Sequence, residues 1–89
     1  MSQAPWSIEF ERAAEKDFGR LDPPIRIRIV AALDRIIADP EHATGVSKLR
    51  GRPESRVRVG DWRVILSTDR EHHKILVSRI LPRGRAYDR

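Results

Sequence analysis

Ser55-Arg56-Val57-Arg58-Val59-Gly60-Asp61-Trp62-Arg63-Val64-Ile65-Leu66-Ser67 is the stretch whose reading decides the fold. Apolar and basic residues alternate through it, the period of a strand with one buried face. The alternation is interrupted by Gly60-Asp61. Glycine in the first position suits a tight two-residue turn, so the stretch reads as a β-hairpin. With that turn in place, Val59 faces Trp62, Arg58 faces Arg63, Val57 faces Val64 and Arg56 faces Ile65. One face of the ribbon is then Val57, Val59, Trp62, Val64 and Leu66. The other carries Arg56, Arg58 and Arg63. Like charges directly across a ladder repel each other. A sheet that gathers three guanidinium groups on one face is suited to holding an anion.

The hairpin needs a core on its apolar side, and the flanking sequence supplies one. Trp6, Ile8 and Phe10 alternate with polar residues and read as a short strand. From Glu11 the period lengthens: Phe10, Ala14, Phe18 and Leu21 form one helical stripe, ending near Gly19. Asp22 before Pro23-Pro24 marks a second helix start, with Asp as N-cap and proline in the first turn. Ile25, Ile29, Val30, Leu33, Ile36 and Ile37 are expected to face the core, and Asp39-Pro40 ends the helix. Residues 40–54, with two Pro and two Gly, read as a partly irregular connector. After a polar turn at Asp69–His73, Lys74–Leu81 is apolar on both faces, as a central strand is, and Pro82 stops it. The order β-α-α-β-β-β predicts a small α+β domain spanning residues 1–89, a helical hairpin on one face of a mainly antiparallel sheet.

Composition narrows the function. The chain has 89 residues, no cysteine and a net charge of +5. Disulfides and thiolate metal sites are therefore excluded. No apolar run approaches the ~20 residues of a membrane span, and no signal peptide is apparent, so a cytoplasmic location is expected. The charge is unevenly spread. Residues 1–45 carry six Lys/Arg and eight Asp/Glu, a net of −2; residues 46–89 carry twelve and five, a net of +7. Such an asymmetry points to one cationic face and a polyanionic partner. The phosphate loops GxGxxG and GxxxxGK[ST] are missing, so no nucleotide cofactor is expected. Adjacent His72 and His73 in a turn do not converge on a metal, and none is expected.

The chain resembles the RelE/ParE toxins of type II toxin–antitoxin systems. The likeness runs through Trp6-Ser7-Ile8 with Phe10, the Leu21-Asp22-Pro23 break, and Ile29–Ile37 ahead of Pro40. It continues with Lys48-Leu49-Arg50-Gly51, the block Arg56-Val57-Arg58-Val59-Gly60-Asp61-Trp62-Arg63-Val64, and the terminal Arg83 and Tyr87. In the RelE-like branch, which the full basic set favours, the resemblance implies ribosome-dependent cleavage of mRNA without a metal. The ribose 2′-hydroxyl attacks the adjacent phosphate and leaves a 2′,3′-cyclic phosphate. Arg56, Arg58, Arg63, Arg83 and Tyr87 are the catalytic candidates; Lys48, Arg50 and Arg85 are candidate RNA-phosphate contacts. The implied partners are the ribosome, mRNA and a small acidic antitoxin.

RelE itself has lysines where Arg56 and Arg58 stand. Arginine stays charged and is a poor general base, so Tyr87, Lys48 and ribosomal RNA remain open as the proton acceptor. Two other functions fit the same residues: a ParE-like inhibitor of DNA gyrase, and a non-catalytic nucleic-acid-binding module.

Overall fold

The computed structural model describes residues 5–39, the backbone of 46–48, and residues 54–82. Strand β1 (Ser7–Phe10) leads into helix α1 (Arg12–Gly19) and helix α2 (Pro23–Ala38). Strands β2 (Val46–Lys48), β3 (Ser55–Val59), β4 (Trp62–Asp69) and β5 (Lys74–Pro82) follow. They form one five-stranded sheet in the order β1-β5-β4-β3-β2. β1 runs parallel to β5, and every other neighbouring pair is antiparallel. The mainly antiparallel α+β architecture is as expected, with one addition. β2 lies inside the stretch read as an irregular connector. Its three residues pair with Val57, Arg56 and Ser55, so the neighbouring strand, rather than any pattern of its own, defines it.

The hairpin register agrees with the sequence reading at every pair: Val59 with Trp62, Arg58 with Arg63, Val57 with Val64, Arg56 with Ile65. Gly60 has a φ of +59°, and His73 is the only non-glycine residue with positive φ among the described residues. Only the first turn position therefore needs the left-handed region, which glycine enters without a Cβ clash.

The core lies between the helices and one sheet face. Ala14, Leu21, Ile29, Ala32, Leu33 and Ile36 from the helices are buried against Val57, Val59, Val64, Leu66, Ile75, Val77 and Ile80. Trp6, Ile8, Phe10, Phe18 and Trp62 close its margins, with Phe10 and Phe18 edge to face at 5.4 Å. Each large apolar side chain fully buried here contributes roughly 1.5–3 kcal/mol.

Helix α2 corrects the expected core in one place. Val30, placed by sequence on the buried face, is exposed, and Ala32 is buried instead. A small residue at the contact lets the helix axis approach the sheet and turns the packed face toward Ala32. Asp22 does stand at the N-cap before Pro23 and Pro24, but its side chain makes no capping hydrogen bond.

β5 carries a register shift against β4. Leu66 pairs with Val77 and Ile65 with Arg79, which leaves Ser78 as the extra residue. The bulge allows Val77 and Ile80, three residues apart, both to face the core. Beside it, Arg79 reaches α1. Its Nε donates to Asp17 Oδ2 at 2.7 Å and its Nη2 to Asp17 Oδ1 at 3.1 Å, while the Ile80 N–H donates to the same Oδ2 at 2.9 Å. Burial alone would push the Asp17 carboxyl up; the hydrogen bonds from Arg79 and Ile80 outweigh it and hold the group below its ordinary range.

The β4–β5 turn is held locally. Asp69 accepts from the His72 backbone N–H at 3.1 Å and meets His72 Nδ1 at 2.8 Å. His73 stacks on Trp6 with centroids 5.1 Å apart. No helix among the described residues is long and apolar enough to cross a membrane.

Candidate functional site

Alternation along β3 and β4 turns Arg56, Arg58 and Arg63 toward the sheet face opposite the helices. A straight row crosses that face: Arg58 on β3, Arg63 on β4 and Leu81 on β5 are successive Cα partners. The three arginines are not equivalent. Arg58 is exposed, Arg56 half-buried, and Arg63 only 1% exposed. Arg63 is among the largest fully buried side chains of the domain. The sequence reading treated the row as one open cationic surface. In the structure only Arg58 stands fully at the surface.

A buried guanidinium needs compensation, because transfer of a charge from water is costly unless it is paired and hydrogen-bonded. Arg56 and Arg63 each make a further non-covalent contact. The Arg63 Nε is nonetheless buried without a hydrogen bond of its own among the described residues. Arg63 is thus a fixed guanidinium directly across the β3–β4 ladder from the exposed Arg58. An anion approaching Arg58 meets a second charge whose side-chain entropy has already been spent.

The other candidates fall as follows. The backbone of Lys48 pairs with Ser55, next to the Ser47–Arg56 pair, at the edge of the same sheet. β5 ends at Pro82, opposite Trp62. Arg50, Arg83, Arg85 and Tyr87 lie outside the described residues.

The structure adds two basic residues of α2 that the sequence analysis does not single out. Arg28 and Arg35, together with Ala31, Ala32, Arg58, Val59 and Gly60, line a cleft of about 320 Å³ between α2 and the hairpin turn. Their seven-residue spacing places them two turns apart on one helix face, a signal the sequence did contain. The cue it lacked was that this face borders Gly60. A Cβ at Gly60 would lie 3.1 Å from the Arg28 guanidinium, so the bare turn gives that group room.

Comparison with known proteins agrees with this architecture. Residues 8–87 match the family described as the ParE toxin of the type II toxin–antitoxin system parDE. No curated protein sequence matches significantly. Among solved structures, the fold is similar to the archaeal RelE–RelB complex from Pyrococcus horikoshii. The TM-score there is 0.77 at 25% identity, covering 92% of this chain and 99% of that one. It is also similar to the RelBE2 toxin–antitoxin complex from Mycobacterium tuberculosis, with a TM-score of 0.75 and 24% identity over 90% of this chain and 100% of that one. A YoeB/ParE toxin from Agrobacterium tumefaciens has a TM-score of 0.74 at 13% identity, over 85% and 96% of the two chains. The match to the family spans nearly the whole chain, and the sheet order, the helical pair and the basic hairpin are all in place: this chain is a toxin of the RelE/ParE family of type II toxin–antitoxin systems.

Proposed function

We propose that this toxin stops translation by cleaving mRNA on the ribosome, in the cytoplasm, and that a cognate antitoxin neutralises it. The observation that carries the reading is the cross-strand pair on the sheet face away from the helices, with Arg58 exposed directly across from a buried Arg63. Such a pair grips a phosphate. Arg58 contacts the non-bridging oxygens, and Arg63 contributes fixed positive potential from across the ladder. In the reaction the 2′-oxygen bonds to phosphorus, the P–O5′ bond breaks, and the products are a 2′,3′-cyclic phosphate and a 5′-hydroxyl. Negative charge builds on the non-bridging oxygens as this happens, which is where arginine helps most. Arg56 extends the grip along β3. Arg83 and Tyr87 join the site by resemblance to the family, with Lys48, Arg50 and Arg85 as phosphate contacts. None of the arginines suits the role of base, so the 2′-OH proton passes to Tyr87, Lys48 or ribosomal RNA. The antitoxin partner is supported by the similar toxins crystallised with theirs.

The test is purified toxin added to translating ribosomes. Cleavage within the codon at the A site is expected, and Arg58→Ala should lower its rate by at least ~100-fold. Affinity for RNA or ribosomes should also fall steeply with salt, as phosphate contacts release counterions. Intact mRNA would overturn the reading.

A second reading, inhibition of DNA gyrase without RNA cleavage, is favoured by two observations. The matching family is that of ParE, and the burial of Arg63 removes one arginine from direct contact with a substrate. Loss of gyrase supercoiling with mRNA left intact would select it.

A further inference from the structure

β5 outruns its neighbour on one side. β1 pairs with it only from Lys74 to Val77, and the chain then turns away into α1, with the Glu11 N–H donating to the Val77 carbonyl at 2.8 Å. Among the described residues, 79–82 therefore have β4 on one side and no strand on the other. An open strand edge presents backbone groups without partners. Here α1 supplies one: Asp17 Oδ2 accepts from the Ile80 N–H at 2.9 Å. The carboxylate that does so is only 10% exposed and is itself held by Arg79.

This contact falls just past the register shift. With Ser78 as the extra residue, Arg79 pairs with Ile65, Ile80 with Val64, Leu81 with Arg63 and Pro82 with Trp62. A bulge re-aims the residues that follow it, and a slip of one residue sends each of them to the other face. Without the extra residue, Ile80 would stand opposite Arg63 and Arg79 opposite the fully buried Val64.

We infer that Asp17 is a positioning residue for the arginine row. By holding the Ile80 N–H it fixes the register of β5 after the bulge. That register sets Leu81 beside Arg63, and it sets the face from which the chain leaves at Pro82, one residue before Arg83. Asp17 touches no substrate and acts only through β5. The assignment rests on the reading of the row as a site of RNA cleavage. Arg79 has a lesser part, because the bond from Ile80 needs only the carboxylate oxygen.

The experiment separates the two halves of the clamp in the full-length toxin. Arg79→Ala breaks the ion pair and leaves the acceptor for the Ile80 N–H; Asp17→Ala removes both. Cleavage on ribosomes is compared at a temperature where each variant is folded. Asp17→Ala should lower kcat roughly 100-fold with KM little changed, since a small misplacement of reacting groups costs about that much. Arg79→Ala should stay within about threefold of the unaltered toxin. Asp17→Asn keeps one carbonyl oxygen as acceptor and should recover most of what Asp17→Ala loses; it also serves if Asp17→Ala does not fold. Hydrogen exchange reads the same bond without reference to activity: the Ile80 amide should be protected in Arg79→Ala and in Asp17→Asn, and unprotected in Asp17→Ala. Full cleavage with an unprotected Ile80 amide, in any of the three variants, would overturn the assignment. Equal losses of kcat in Asp17→Ala and Arg79→Ala would reduce the clamp to a contribution to stability and overturn it as well. An unaltered toxin that leaves mRNA intact would overturn the cleavage reading and the assignment together.

Discussion

The two helices lie on the same sheet, yet their charged margins are opposite in kind. At the α1 margin the charge is spent: Arg79 and the 10%-exposed Asp17 carboxylate hold each other through two hydrogen bonds, and the Ile80 N–H takes part. The cleft of about 200 Å³ there, between the end of α1 and the end of β5, is lined by this matched pair and by Arg20. At the α2 margin Arg28, Arg35 and Arg58 surround a larger cleft with no carboxylate paired to them among the described residues. A folded domain gains nothing by leaving three cations together unneutralised. The first margin is therefore read as structure and the second as cationic surface with no partner among the described residues. The same division runs through the sheet, where Arg63 is buried and Arg58 is not.

The largest expected effect tests that division inside the hairpin. Arg63→Ala removes one of the biggest buried side chains and should destabilise the domain by about 3 kcal/mol, read from denaturant unfolding. A loss below about 1 kcal/mol would mean that Arg63 belongs with the free charges. Next is the α1 margin. Asp17→Asn should cost about 2 kcal/mol, because it weakens two charge-assisted hydrogen bonds at a nearly buried site. For a domain of this size that is a fall in Tm of roughly 10 °C.

The same substitution has a pH signature. The Asp17 pKa is lower folded than unfolded, where it lies near 3.8. The carboxylate's stabilisation is therefore fully present above that unfolded value and is lost as pH falls through the folded one. Unfolding followed from pH 6 downward should show the unaltered chain losing its advantage over Asp17→Asn below about pH 4. Parallel curves would show that the clamp does not depend on ionisation.

What was legible in the sequence divides along similar lines. The hairpin register was readable because Gly60-Asp61 sets the turn and strict alternation sets the faces, two local constraints that agree. β5 was readable as central because both its faces are apolar. The bulge at Ser78 was not, since an extra residue in one strand leaves no mark on composition; its consequence, Ile80 rather than Arg79 in the core, is visible only once β4 is paired. β2 has three residues and exists by pairing with β3. Val30 was placed in the core because the apolar stripe of α2 is broad, and the width of a stripe does not reveal which part of it the sheet will touch. Arg63 shows the deepest limit. Alternation assigns it to the face away from the helices, but a face assignment says nothing about whether that face is covered.

A smaller effect tests the hairpin turn, which borders the cleft at the α2 margin. Gly60→Ala should cost about 1 kcal/mol, since φ is +59° and the new methyl would lie 3.1 Å from the Arg28 guanidinium. Combining it with Arg28→Ala separates the two causes. If crowding matters, the double variant recovers part of the loss; if only the backbone matters, the two effects add.

The smallest expected stability effect carries the most functional weight. Arg58→Ala should change stability by no more than about 0.5 kcal/mol, as exposed positions away from caps and cores do, while abolishing the toxin's effect on its target. Removing one charge from a cross-strand pair of like charges also relieves repulsion with Arg63, so a slight gain is the expected sign. Urea unfolding of Arg58→Ala and Arg63→Ala side by side reads the comparison directly. A large gap between them separates the charge that builds the sheet from the charge that the sheet presents. Equal losses would mean that the two guanidinium groups form one structural unit, and the phosphate grip would then have to be sought elsewhere on the chain.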